Sequence, residues 1–301
     1  MADRIVIIGA GVMGVRLACH FARAGMAVAV IDSSPQSIRN AKTYLDKTGL
    51  EKADLCFAAT IAALPRDWQE SNLIIEAVPE KIEIKHAVIN ELEAWCSEQT
   101  LIASNSSGLT TAQLAVGMRH PNRLAIAHFF NPADVIPVVE LIGSATMPPE
   151  RLQELAQILR RSGKIPAILH KEVQGFVANR IQHAMMREAF HLLEDGVADA
   201  AVIDDIVRWA VGVRLAFFGP FLQRDLNGLD THLSIASYLY PDLSASQGPA
   251  RILRDKVAAG QVGRKAGAGF YPWDKTREAD TQNKEQALAT LIAANLKNIE
   301  A

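Results

Sequence analysis

The sequence predicts an α/β chain with a doubly wound, mainly parallel sheet in residues 1–171 and an all-helical domain in residues 172–301. Three observations carry this. Short apolar, β-rich runs alternate with helical periodicity through the first half. The first strand-to-helix turn carries G-x-G-x-x-G. From Gln174 onward the pattern is almost entirely helical, with the clearest boundary at "LHKEVQGF".

Taken in order, Ile5–Ile8 reads as strand, Val12–Ala24 as helix, Ala27–Ile31 as strand and Pro35–Leu45 as helix. Leu55–Ala58 and Leu73–Val78 are further strands. Lys81–Trp95 places Ile82, Ile84, Val88, Ile89, Leu92 and Trp95 mostly on one helical stripe. Leu101–Ala103, a helix around Thr110–Val116, Leu124–His128 and Ile165–Leu169 complete the sheet pattern. Helices are then expected over Gly175–Leu193, over Asp199–Val211, and in segments from Pro220 to about Val257. The tail Asp274–Ala301 reads as one more surface helix.

Composition narrows the function classes. The 301 residues are 49% hydrophobic and 21% charged, with a formal net charge of −2. That balance supplies no global attraction to nucleic acid or to an anionic membrane. No run approaches the roughly 20 apolar residues of a membrane span. The N-terminus has no secretory pattern. Cys19, Cys56 and Cys96 are far apart and odd in number. They suggest neither a metal site nor a disulfide framework and fit a reducing, cytoplasmic setting.

The glycines Gly9, Gly11 and Gly14, with Val12 and Met13 between them, follow a strand and open a helix. Gly9 permits the tight turn, Gly11 lets a pyrophosphate approach the backbone, and Gly14 lets helix and strand pack closely. The phosphates then meet the positive end of the helix. The second strand ends in Asp32, near the roughly 20-residue spacing of a ribose-binding acid. A carboxylate accepts from a ribose 2′-hydroxyl and repels a 2′-phosphate. Ser33, Ser34 and Pro35 follow, with no arginine, so NAD is favoured over NADP.

"AHFFNPADVIPVVE" places His128 and Glu140 in runs that otherwise read as buried strand. Buried charge is costly unless paired. A hairpin centred near residue 134 would set the two directly opposite, with Cβ atoms roughly 5 Å apart. The carboxylate would then fix one imidazole tautomer and leave the other nitrogen to take a proton from an alcohol. The spacing alone leaves a satisfied core histidine open as the plainer alternative.

"ASNSSG", "AHFFNP…VVE", "GFVANR", "GPFLQRDLNGLD" and "GRKAGAGFY" occur in order along nearly the whole chain. In these motifs the sequence resembles the 3-hydroxyacyl-CoA dehydrogenases. The resemblance implies a Rossmann-type NAD domain, a helical C-terminal domain that dimerises, and an active site in the cleft between the two. It implies His128 as catalytic base, Glu140 as its partner, Ser107 and Asn179 as hydrogen-bonding partners of the substrate, and Asn131 beside substrate and nicotinamide. It implies cofactor contacts at Glu80, Lys85 and Asn105. Neutral donors of this kind suit a developing oxyanion. A helix cap at Ser107 and a surface residue at Asn179 are the structural alternatives.

The chain also departs from that pattern. Members carry a long helical hairpin, which helps hold coenzyme A, between the ribose-binding acid and the E-x-V-x-E segment. Here only residues 33–79 separate Asp32 from Glu80, and "KTYLDKTGLEKADL" stands as a shortened remnant. "VGVRLAFFGPF" is more similar to the lambda-crystallin and carnitine dehydrogenase branches, which oxidise free hydroxy acids. Arg214 is then the candidate partner for a substrate carboxylate. Leu222 stands where a glutamate is usual, and Gln174 where a proline is. The default expectation is reversible, NAD-dependent oxidation of a β-hydroxyl on a short acyl-CoA of the 3-hydroxybutyryl type. The alternatives are a free β-hydroxy acid or other carboxylate-bearing alcohol and, in another class, a non-catalytic NAD-binding or structural protein. A homodimer is expected, and no metal site.

Overall fold

The computed structural model describes residues 3–50 and 53–299. Residues 51 and 52 of the hairpin remnant, and both chain ends of the expected domains, lie outside this description. The chain falls into two compact units, one running to Phe176 together with the segment from Ala287, the other Val177–Gln286.

The first unit holds β1 (Arg4–Ile8), α1 (Val12–Arg23), β2 (Ala27–Ile31), α2 (Pro35–Lys47), β3 (Leu55–Ala58), β4 (Leu73–Glu76) and α3 (Ile82–Trp95). It continues with β5 (Leu101–Ser104), α4 (Thr111–Leu114), β6 (Leu124–Phe129), β7 (Val138–Gly143), α5 (Pro149–Arg161) and β8 (Ile165–Ile168). One eight-stranded sheet runs in the order β3-β2-β1-β4-β5-β6-β7-β8. Every pairing is parallel except β6 with β7. The chain leaves β1 toward β2 on one side and returns to β4 on the other, so β1 marks the point where strand order reverses.

The strands read as continuous apolar runs because both faces are covered. Successive residues of β1 alternate between two cores. Ile5 and Ile7 join Leu17, Phe21, Val28 and Leu155 on one face, and Val6 and Ile8 join Ile74, Ile89, Leu92 and Phe176 on the other. Local signals start the helices. Ser34 caps α2 by accepting from the Ser37 amide, with Pro35 in the first turn. Thr110 and Gln113 form a capping box on α4. This leaves Ser107 outside the capping role that the sequence allowed it.

Three features differ from expectation. Helix α5 occupies a stretch to which the sequence reading assigns no element, and Leu155, Ala156, Ile158 and Leu159 form its buried stripe. The first unit extends to Phe176 rather than ending at residue 171, since the Phe176 ring is anchored in the core. The helix expected over Asp199–Val211 is α-helical only to Ile206 and then widens into π turns over Val207–Gly212.

The second unit contains α6 (Ala178–Glu194), α7 (Ala200–Ile206), α8 (Val213–Leu215), α9 (Pro220–Asn227), α10 (Leu229–Leu239) and α11 (Arg251–Ala258). Helix α12 (Lys275–Ile299) begins in this unit, and its later turns group with the first. Among the described residues, no helix is long and apolar enough to cross a membrane.

Candidate active site

Parallel strands present their carboxyl ends at one edge of the sheet, and the sequence-predicted residues of the first unit gather there. The glycine turn follows β1, Asp32 follows β2, Glu80 follows β4, and Asn105 and Ser107 follow β5. His128 and Asn131 lie at the end of β6. This is the crevice position at which open α/β sheets bind ligands.

The glycines divide their work as the motif requires. Gly9 has φ +102°, and a Cβ there would lie 2.7 Å from the Ala77 carbonyl oxygen. A Cβ at Gly14 would collide with the backbone of Gly9, at 1.7 Å from its carbonyl oxygen. A Cβ at Gly11 would meet nothing within 4 Å. The space over Gly11 is therefore open to a ligand's phosphates, which fits a dinucleotide. Asp32 supports the same turn. One carboxylate oxygen accepts from the Ala10 amide and the other from the Ser34 amide, each at 2.8 Å. Val12 is 70% exposed at the mouth of α1, and Met13 is half-buried.

Under this turn lies a buried ionic cluster. The Glu76 side chain is fully buried and Lys85 is 1% exposed, with the ammonium 2.8 and 2.9 Å from the two Glu76 oxygens. The ammonium also stands 3.2 Å from Glu80. Ser104 and the Val78 amide donate to Glu76 as well. Lys85, expected to touch the cofactor, is thus turned inward. A buried carboxylate needs a counter-charge, and Lys85 supplies it. Glu80 accepts from the Ser106 hydroxyl and from the Ser107 and Gly108 amides. Partial burial works against its ionisation. The Ser106 hydrogen bond, the Lys85 charge and the Gly108 amide outweigh that and hold its carboxyl below the usual range. The Asn105 side chain accepts from the Phe129 amide at 2.9 Å, tying the end of β5 to the strand that carries His128. Ser107 is exposed at the edge.

The predicted hairpin is present. Strands β6 and β7 pair antiparallel with His128 opposite Glu140. Strand alternation turns both away from Ala127, Phe129, Val139 and Leu141, toward the face that holds Phe176. The His128 Nδ1 lies 2.8 Å from a Glu140 carboxylate oxygen, and each side chain is 5% exposed. With Nδ1–H donating to the carboxylate, Nε2 carries the lone pair. Phe130 meets the imidazole edge-on at 4.6 Å between centroids, and Phe176 lies tilted against it at 5.3 Å.

Phe176 was missed in the sequence, as were Glu76, Ser104 and Ser106. Its backbone has φ +50°, which a phenylalanine rarely adopts. Gly175 and Phe176 fall inside the helix expected over Gly175–Leu193, whereas the helix begins at Ala178. Glu76 offered the same clue as Glu140, an acid inside an apolar run. Asn131 is exposed in the hairpin loop and joined to Pro132 by a cis peptide. Asn179 and Arg214 belong to the second unit. Asn179 is half-buried at the start of α6, and Arg214 is exposed on α8 with its Nε donating to the Ala210 carbonyl at 2.6 Å. Among the described residues, no cluster of His, Cys, Asp and Glu could hold a metal.

A glycine-turn dinucleotide cradle beside a buried His–Glu pair defines the class of nicotinamide-dependent dehydrogenases that act on a CH–OH group. Models of the 3-hydroxyacyl-CoA dehydrogenase NAD-binding and C-terminal domains match residues 4–173 and 175–273. The chain belongs to the 3-hydroxyacyl-CoA dehydrogenase family and uses NAD.

A relative in Mesorhizobium japonicum, 5-formyl-3-hydroxy-2-methylpyridine 4-carboxylate 5-dehydrogenase, is 32% identical over 280 residues, covering 90% of this chain and 91% of its own. A solved structure of an enzyme of that name, described as an NAD⁺-dependent dismutase, aligns with TM-score 0.88 at 31% identity over 99% of both chains. L-carnitine dehydrogenase of Oceanobacillus iheyensis is 34% identical over 236 residues, 75% of this chain and 76% of its own. The structure of (S)-3-hydroxybutyryl-CoA dehydrogenase from Ralstonia eutropha aligns with TM-score 0.71 at 29% identity, over 91% of this chain and 100% of that one.

Proposed function

We propose that this dehydrogenase oxidises a small, carboxylate-bearing alcohol that carries no coenzyme A. The observation that carries this reading is the path from β2 to β4. Helix α2 ends at Lys47 and β3 begins at Leu55, and among the described residues no helical hairpin stands between β2 and β4. The surface that the family resemblance assigns to coenzyme A is thereby reduced. The similarity to two enzymes whose names specify a pyridine carboxylate and carnitine supports the same reading, as does the difference in TM-score from the acyl-CoA enzyme.

In this reading His128 Nε2 takes the hydroxyl proton of the substrate. Glu140 keeps the ring in the productive tautomer and stabilises the imidazolium as it forms. Bound NAD⁺ supplies the hydride acceptor, so the alcohol becomes a ketone and one proton is released. Ser107, Asn131 and Asn179 supply neutral hydrogen bonds to the substrate oxygens, and Arg214 pairs with the carboxylate. A panel of free hydroxy acids and matched CoA thioesters, followed by nicotinamide absorbance, tests this. Turnover is expected with free acids, and Arg214→Ala should raise their KM about ten-fold or more, the scale of a charge-assisted pair. Turnover confined to thioesters, unchanged in Arg214→Ala, would restore the acyl-CoA reading.

We also infer a homodimer formed through the helical unit. Among its described residues only Gln223 is buried, while Trp209, Phe217, Phe221, Leu226, Leu233 and Tyr240 are between 62% and 86% exposed. So large an apolar surface on one unit suits a second copy of the same helices. Light scattering at micromolar concentration should give twice the mass of one chain. A single-chain mass would refute the dimer.

A further inference from the structure

The loop between β6 and β7 carries Asn131 and is gripped from both sides. From one side, the Asp134 carboxylate, 7% exposed, accepts from Arg16 of α1 at 2.7 Å and from the Tyr44 hydroxyl of α2 at 3.2 Å. Arg23 of α1 adds its charge at 3.9 Å. The Arg16 guanidinium also stacks over the Tyr44 ring, 5.9 Å from its centroid. From the other side, the buried Lys164 ammonium donates to the carbonyls of Ala133 and Ile136 at 2.6 and 2.7 Å. Nothing in the proton transfer at His128 uses any of these groups. Asp134 is separated from Arg16 by 118 positions and from Tyr44 by 90.

The placement of its partners gives Asp134 its meaning. Arg16 stands two residues beyond Gly14, about one turn into the helix whose N-terminus faces the pyrophosphate. Tyr44 lies on the helix that follows Asp32. The Asp134 carboxylate is buried while Arg16 is 30% exposed, and a charge-assisted pair of this kind is directional. It links the dinucleotide cradle to the substrate loop through one side chain.

We propose that Asp134 is a positioning residue that couples the dinucleotide cradle to the loop Phe130–Pro137, so that binding NADH fixes where Asn131 stands. The inference rests on the assignment of the glycine turn to the pyrophosphate, and it does not depend on which alcohol is oxidised. Coupling of this kind has a free energy of about 1–3 kcal/mol, or about 5-fold to 150-fold in an equilibrium.

Hydrogen exchange at the amides of Val135 and Ile136, which both donate to the Pro132 carbonyl, reads the loop directly. The measurement is made at pH 7 with and without saturating NADH. Burial pushes Lys164 down to about 8 against the opposing Asp134 charge, so at pH 7 its ammonium stays mostly charged in the samples that keep Asp134, namely the wild type, Arg16→Met and Tyr44→Phe. In the wild type, NADH should slow these amides about five-fold or more. In Asp134→Asn and in Arg16→Met it should slow them less than about two-fold, although a fluorescence titration shows NADH bound. Tyr44→Phe leaves the ion pair in place and should give an intermediate effect, which keeps the test available should a charge variant fold poorly. Full NADH-dependent protection in the variants would overturn the proposal. So would exchange accelerated equally with and without NADH, the mark of a merely structural contact. Failure of the wild type to bind NADH would overturn the cradle assignment, and with it the coupling.

Discussion

His128→Ala lowers turnover by about 10²–10⁴-fold, the range for loss of a positioned general base, and leaves the NADH dissociation constant within about three-fold. The separation follows from the fold. His128 belongs to the end of β6, while the cradle is built on the turn after β1 and on Asp32. Removing the imidazole takes away the proton acceptor without touching either. It also removes the His128 hydrogen bond from Glu140, 5% exposed, so the midpoint of thermal unfolding should fall as well. Steady-state rates, an NADH titration and a melt on one preparation distinguish these effects. Retained turnover with a large loss of NADH affinity would remove His128 from the role of base.

Glu140→Gln isolates the second half of that argument. The amide keeps a hydrogen-bond acceptor near Nδ1 but no longer offsets the charge that His128 gains with the substrate proton. Its loss in turnover should therefore be smaller than that of His128→Ala, with NADH binding again unchanged. A satisfied core histidine, the plainer alternative open from spacing alone, predicts the reverse pattern. Both substitutions would then lower stability and leave the rate per folded molecule intact.

The reasons that these residues could be found in the sequence are local. The glycine turn, Asp32 and the opposed pair His128–Glu140 are encoded by short-range rules, since a turn of fixed shape or a hairpin with known register determines the geometry. Strand alternation then specifies that both members of the pair face the same side. The cluster of Glu76, Lys85 and Glu80 was only half legible. The sequence placed Glu80 and Lys85 near one another, but it took the packing of α3 to turn the ammonium inward onto Glu76. Phe176 and Asp134 were opaque for a different reason. Each acts on a neighbour dozens of positions away, Phe176 on His128 and Asp134 on Arg16, and no periodicity records a contact of that kind. Helix α5 was hidden by composition, because its charged face outweighs a buried stripe of four residues. The second unit shows the limit of burial as a guide. Its apolar positions have helical spacing, yet among the described residues none of them is buried.

Gly14→Ala should be the most damaging single methyl in the chain. The added Cβ would sit 1.7 Å from the Gly9 carbonyl oxygen and 2.9 Å from its carbonyl carbon, distances no rotamer can relieve because both partners are backbone. Gly9 cannot yield easily. Its φ of +102° and its own closeness to Ala77 already fix the turn, and its amide donates to the Ile31 carbonyl at 2.7 Å. Helix α1 must therefore move instead, and its buried face carries Leu17, Ala18, Cys19 and Phe21. Overpacking of this severity costs about 3 kcal/mol or more. The displaced helix N-terminus would no longer meet the pyrophosphate, so NADH affinity should fall about 100-fold. Gly11→Ala is the informative contrast. A methyl there meets no protein atom within 4 Å, so denaturant unfolding should be little changed while NADH binding weakens. Equal stability losses in the two variants would mean that Gly11 serves the fold, and that the open space above it is not where the phosphates lie.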